Sequence, residues 1–403
     1  MSHSNIEEIV EVPDHMADHN RASRSHNGNP HVGVLHAPKP PQKNSFWRKW
    51  LRALHWRHTH LSRPKWFLLI FALLLVIAGA AFGIYKVYKH YTVKPHTETS
   101  SPRTPPAPAT EASRLTGIEI DPLLNKRPVT GVMIENSKDA RPQAGLKDAG
   151  VVFEAIAEGG ITRFLALFQE AQPDRIGPIR SVRPYYLDFL LPFDGSIAHV
   201  GGPPQALSDI KALGVKDLDQ FANAGAYERV KNRAAPHNVY SSTAKLDALN
   251  ASKGFTSSNF TGFTRKKEAA SAQPTATKID LNVSSALYSV HYDYDATTNS
   301  YKRSEGGAAH TDEKSGAQIT PKVVVALVMT RGIASDGQHT NYGATGSGKL
   351  YVFQDGVVTE GSWAKSDRKA QFSFTDSSGQ VIALNPGQTW ITIVDSGKVT
   401  SGI

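Results

Sequence analysis

Apolar and polar residues alternate through VVFEAIAE (151–158) and ITRFLALFQE (161–170), on either side of Gly159-Gly160. Period two flanking a glycine pair predicts a β-hairpin closed by a two-residue primed turn. A helix would also bring Glu154 and Glu158 to one side, but two adjacent glycines would cost it about 2 kcal/mol. VTGVMIEN (129–136) is a short apolar run with polar ends, a buried strand whose functional end is Glu135 and Asn136. RPYYLDFLLPF (183–193) predicts a helix with Pro184 in its first turn, and SIAHVGG (196–202) a strand entering a glycine turn. PPQALSDIKALG (203–214) opens a helix on proline and stops it on Gly214, and SSTAKLDALNASKG (241–254) predicts a third helix ending at Gly254. Interleaved strands and helices predict an α/β-type domain over 116–255, its sheet built around the hairpin. Residues 256–278 lack periodicity and predict a linker. Beyond them ALYSVHYDYD, KVVVALVM, KLYVFQDGVVTEGSW, QFSFTDSSGQVIAL and TWITIVD read as strands, with hairpin turns at Asp355-Gly356 and Ser378-Gly379. Residues 279–403 thus predict a second, mostly β domain, a small barrel or sandwich, and the class is α+β.

One stretch follows neither period. WFLLIFALLLVIAGAAFGIY, Trp66 to Tyr85, carries no charge over 20 residues. As a helix it would span roughly 30 Å, the hydrocarbon thickness, with aromatic rings at both interfaces. It predicts a single transmembrane helix over 66–86. Six cations precede it between Arg48 and Lys65 and four follow between Lys86 and Arg103, which puts the N-terminus in the cytoplasm and the C-terminal domains outside. Residues 1–65 read as a disordered cytoplasmic tail ending in the basic-aromatic segment FWRKWLRALHWRHTH (46–60). That segment is either an amphipathic helix on anionic lipid headgroups or a stop-transfer flank. Residues 87–115 form a Pro/Ser/Thr-rich spacer.

The formal net charge of +9 suggests nucleic acid until its location is considered. Residues 116–403 hold 30 Lys and Arg against 29 Asp and Glu, so the excess flanks the apolar segment and no nucleic-acid partner is expected. The absence of cysteine excludes disulfides, thiolate metal sites, a cysteine nucleophile and a lipidated cysteine.

RPVTGVMIENSKDARPQAGLKDAGVVFEAIAEGGITRFLALF, IGPIRSVRPYYLDF, HVGGPPQAL and APHNVY together resemble the bacterial YerB-like family, catalogued as domain of unknown function 3048. GSGKLYVFQDGVVTEGSW and LNPGQTWITIV are similar to its C-terminal domain. The resemblance covers 116–403 and implies a two-domain plan at the cell envelope, without an established reaction. Its familiar members are lipoproteins anchored through a cysteine; here a transmembrane helix takes that place.

A turn at Gly159-Gly160 pairs Glu158 with Ile161, Ile156 with Arg163 and Glu154 with Leu165. Glu154, Glu158 and Arg163 would then share one face, Arg163 diagonal to both acids. The two glutamates would stand about 13 Å apart along the strand. Glycosidase carboxyls need about 5–5.5 Å or 6.5–9.5 Å, so Glu135 on a neighbouring strand end makes the easier catalytic partner. The alternative is a structural cluster in which Arg163 neutralises both acids. IGPIRSVRP adds Arg180, Ser181 and Arg183, whose planar forks suit carboxylate or phosphate. His199 and His237 sit near strand or loop ends and are either acid–base groups or packed histidines. Asn136, Arg141, Gln143 and Asn238 lie in the motifs that carry the resemblance and would line the same cleft. No nucleophile elbow, phosphate loop or metal pair is present, so no cofactor and no metal are expected.

These readings predict a membrane-anchored extracytoplasmic protein. Its Glu/Arg cleft would bind peptidoglycan, another anionic wall polymer or an envelope protein, and its anchor the lipid bilayer. The competing expectation is a glycan-cleaving enzyme using Glu135, Glu154 or Glu158 as acid; a scaffold is the third.

Overall fold

A computed structural model describes residues 63–91, 109–334 and 337–403. The tail, the basic-aromatic segment and most of the spacer lie outside the described residues. The chain divides into two compact units, 1–102 and 103–403. The first contains helix α1 (Arg63–Tyr91), whose stretch Trp66–Tyr91 is long and apolar enough to cross a membrane.

In the second unit β1 (Glu111–Ala112) pairs with β2 (Glu119–Ile120). Then come β3 (Thr130–Glu135), β4 (Val151–Glu158), β5 (Ile161–Phe168), α2 (Pro184–Leu190), β6 (Ser196–Ala198), α3 (Pro204–Leu213) and β7 (Lys216–Asp217). A small ladder of β8 (Glu228–Arg229) and β9 (Val239–Tyr240) precedes α4 (Thr243–Ser252). The C-terminal part supplies β10 (Lys278–Asn282), β11 (Ser289–Asp295), β12 (Ser300–Glu305), β13 (Ala308–Ala309), β14 (Val323–Val328), β15 (Arg331–Ile333) and β16 (Thr340–Tyr342). It closes with β17 (Gly346–Gln354), β18 (Val357–Lys365), β19 (Ser373–Asp376), β20 (Thr389–Val394) and β21 (Val399–Gly402).

The two expected domains share one sheet. Its ten strands run β19-β18-β17-β14-β20-β4-β5-β3-β6-β7, and the joint is parallel pairing of β20 with β4, from Thr389 opposite Val151 to Thr392 opposite Glu154. The C-terminal part is therefore neither a separate barrel nor a sandwich. The reason is readable in the strands: TWITIV and VVFEAIA are buried residue after residue, as in strands covered on both faces. Apolar cores lie on both faces, one containing Phe153, Leu165 and Tyr186, the other Val152, Phe164 and Trp390. β10, β11, β12, β13 and β21 form a second sheet, in the order β13-β12-β11-β10-β21, and β15 pairs with β16 in a separate two-stranded ladder. Residues 256–278 are not a free linker either. Phe260 and Phe263 enter the core, and the Arg265 guanidinium donates to Leu115 O, Asn385 O and Thr389 Oγ1.

Helix ends match the sequence signals. Pro184 opens α2, Gly214 caps α3 with φ +67°, and Ser242 Oγ accepts from Lys245 N at the start of α4. Gly159 and Gly160 both have positive φ, +58° and +77°, as a primed turn requires.

Candidate functional site

The hairpin differs from expectation by one residue. Glu158 does face Ile161, but a bulge at Ala157 slips the ladder, so Ile156 pairs with Thr162, Ala155 with Arg163 and Glu154 with Phe164. A one-residue slip moves a side chain to the other face of a sheet. Glu154 and Arg163 therefore point to opposite faces, and the expected three-residue cluster does not form. The groups displaced by the bulge find new partners: Ile156 N–H donates to Tyr342 Oη, and Tyr185 Oη–H donates to the Ile156 carbonyl.

On one face, Glu154 is sealed. Its carboxylate accepts from both Arg303 Nη2 contacts at 2.9 and 3.0 Å, from Trp390 Nε1 at 3.0 Å and from Thr392 Oγ1 at 3.2 Å. Glu154 and Arg303 side chains are both 0% exposed. Arg303 also holds Glu305 at 3.0 Å, and Glu305 accepts from Arg141 and Asn136. Two guanidinium cations and two carboxylates thus alternate in a quartet buried at all but its Arg141 end, with Arg303 lying 4.5 Å over the Trp390 ring. Asn136, Arg141 and Gln143, expected to line a cleft, belong here. Gln143 Nε2 donates to Asn136 Oδ1 and Glu135 O, and Gln143 Oε1 takes His310 Nε2 at 2.9 Å. Because Arg303 donates to His310 Nδ1, the imidazole is the neutral Nε2–H tautomer. Burial, and then Arg303 and Arg141, push its pKa well below the ordinary value. Burial also raises the Glu305 carboxyl, against the pull of Arg303.

That depressed imidazole predicts a pH slope. The unfolded chain binds a proton at His310 near pH 6.5 while the folded chain does not. Stability is therefore complete above about pH 6.5 and falls below it by up to about 1.4 kcal/mol per pH unit. Urea unfolding at stepped pH checks this: His310→Gln should flatten the segment just below pH 6.5, and an unchanged slope would refute the assignment.

The other face looks outward. Glu158 accepts from Arg163 Nη2 at 2.8 Å and from Arg183 Nη2 and Nε at 2.6 and 2.9 Å. Burial would raise its carboxyl, but the two guanidinium groups outweigh burial and hold it below its ordinary value. Glu158 is thus a carboxylate shared by two cations, unsuited to donate a proton at neutral pH. Arg163 also donates to Ser181 O. Glu135, opposite Arg163 across β3 and β5, meets His237 Nδ1 at 2.9 Å and Ser137 Oγ at 3.1 Å. Arg180 Nε stands 3.5 Å from Glu135 Oε1 without a hydrogen bond, and its terminal nitrogens donate to none of the described residues.

β3, β6 and β7 are mutually parallel, so their C-terminal ends, followed by Asn136, His199 and Leu218, open at the same edge of the sheet. A groove of about 680 Å³ lies there, lined by Arg180, Ser181, Arg183, Asp219, Phe221 and Arg229 among others. His199 does not reach it as a reactive group. It is fully buried, Nδ1 against Gly201 O at 2.8 Å and Nε2 against Asp217 Oδ1 at 3.0 Å, tying the glycine turn to β7. Asn238 accepts from Arg229 at 3.0 Å within the β8–β9 ladder, a neighbour of the groove wall.

Of the expected site residues, then, Arg180, Ser181 and Arg183 line the groove, with Glu135, Glu158, Arg163 and His237 behind them. Arg303, Glu305 and His310 were not anticipated; SYKRSE alternates as a strand, and nothing local marks Arg303 as buried. Asp219 and Phe221 carried no motif.

Two family models match: the N-terminal domain of a protein of unknown function (DUF3048) over 115–256, and the C-terminal domain of the same family over 279–391. These matched segments are the ones that meet in the shared sheet and in the buried quartet. The chain belongs to the YerB-like family. The relative named "Putative lipoprotein YerB" from Bacillus subtilis (strain 168) is 28% identical over 295 residues, covering 72% of this chain and 88% of its own. The crystal structure of YerB from Bacillus subtilis superposes with a TM-score of 0.65 at 28% identity, over 72% of this chain and 99% of that one. The mixed α+β architecture is common to both.

Proposed function

We propose that this protein is held at the outer face of the cell membrane by α1 and binds an anionic wall component in the arginine groove. The observation that carries the reading is Arg180. A guanidinium whose terminal nitrogens meet no acceptor among the described residues, at the wall of a groove this size, is set to form a two-pronged bond to a carboxylate or phosphate. The charge balance agrees, because Arg163 and Arg183 share the single acid Glu158, leaving one cation in excess. Location rests on the lipoprotein name of the relative and on α1, which supplies an anchor in a chain without cysteine. The cation asymmetry around Trp66–Tyr85 supports a single span with the N-terminus inside. Cleavage of a glycan by Glu154 and Glu158 has no support in the geometry: one is sealed, the other is held ionised, and they face apart.

Residues 103–403 contain every β-strand of the described residues and both cores, so they can be made alone. Incubated with isolated wall material, they should sediment with it at low salt and return to the supernatant at high salt, since exposed charge contacts are screened. Failure to sediment at either salt would overturn the reading.

A further inference from the structure

Resting on that reading, we infer that the groove ligand is a saccharide carrying a carboxylate, not a polyphosphate. Three observations divide the recognition work. Phe221 is 70% exposed at the groove, and one edge of its ring leans on Gly201. A Cβ built on Gly201 would stand 3.0 Å from Phe221 Cε2, and Gly201 has φ +57°, so glycine both permits the turn and leaves room for the ring. A ring fixed at its edge with its surface in solvent is a platform for the apolar side of a sugar ring. Asp219 lines the same groove. Its Oδ1 accepts from Gly201 N at 2.9 Å, while Oδ2 takes no hydrogen bond among the described residues. An acceptor-only carboxylate recognises hydroxyl donors and repels closely spaced phosphates. Arg180 then supplies one fork for one carboxylate. An aromatic platform, an acid for hydroxyls and one guanidinium without a hydrogen bond to any described residue match a singly charged sugar unit. The other groove arginines are already engaged, Arg183 by Glu158 and Arg229 by Asn238 Oδ1. A run of phosphates would want cations without the acid.

The test uses the full chain in detergent micelles, titrated calorimetrically with three probes. These are a disaccharide with an N-acetylmuramic acid carboxylate, the neutral N-acetylglucosamine disaccharide, and poly(glycerol phosphate). The carboxylated disaccharide should bind at least tenfold more tightly than the neutral one. Phe221→Ala should weaken it about tenfold without moving the thermal midpoint, the ring being mostly in solvent, and Asp219→Asn should weaken it further. Tighter binding of poly(glycerol phosphate), indifferent to Phe221→Ala, would overturn the saccharide while leaving the anion groove intact. The same holds if no probe binds but wall material still sediments. Loss of both probe binding and sedimentation would instead bring down the function on which the inference rests.

Discussion

Arg303→Met destabilises the folded unit by about 3–5 kcal/mol, the cost of leaving a buried charge without its partner. Arg303 is the cation between Glu154 and Glu305; without it Glu154 keeps only neutral donors such as Trp390 and Thr392, and Glu305 keeps Arg141, at the edge of the cluster. Against a total stability of about 5–15 kcal/mol, this is enough to populate the unfolded chain. The loss should also be non-additive. Glu154→Gln removes one of the charges that Arg303 neutralises, so the double variant should recover part of the stability lost by Arg303→Met alone. Urea midpoints for the two single variants and the double variant check this, and strict additivity would count against a coupled quartet. The cluster draws Asn136, Arg141 and Glu154 from the N-terminal segment and Arg303, Glu305 and Trp390 from the C-terminal one. Its energetic role is to make the two segments one body.

Arg180→Ala is expected to weaken binding to wall material roughly tenfold to a hundredfold, equivalent to about 1.5–3 kcal/mol for a hydrogen bond to a charged group. The stability change should be small. The guanidinium is a quarter exposed, stands 3.5 Å from Glu135 and makes no hydrogen bond to the described residues, and its backbone contacts survive the substitution. Arg180→Lys should restore little of the binding, because an ammonium cannot reproduce a planar fork. Binding restored fully by lysine would mean that net charge, not geometry, holds the ligand.

The elements of this fold were largely legible in the residues. The glycine pair, the prolines opening α2 and α3, and the apolar runs of β3, β4, β14 and β20 act locally, through backbone freedom and period. Two things were not legible. The parallel joint between β20 and β4 couples residues more than 200 positions apart, and a run buried on both faces suits a shared sheet as well as a separate one. The bulge at Ala157 is held by tertiary contacts, Tyr185 and Tyr342 taking the carbonyl and amide of Ile156, so the eight residues of β4 do not announce it. Its effect on the site is large for so small a cause. One extra residue sends Glu154 to Arg303 and leaves Glu158 with Arg163 and Arg183. Arg180 and Arg183 were recognisable because their spacing on a loop is local, whereas Asp219 and Phe221 come to the groove only through the turn that follows β7.

The division of labour between the two faces of the hairpin is tested most directly by measuring wall affinity and unfolding midpoint together for Arg180→Ala and Arg303→Met in residues 103–403. A crossed result is expected: Arg180→Ala loses affinity at an unchanged midpoint, and Arg303→Met loses stability while its folded fraction binds as before. Unchanged affinity in Arg180→Ala, or equal loss of affinity in the folded fraction of Arg303→Met, would contradict it.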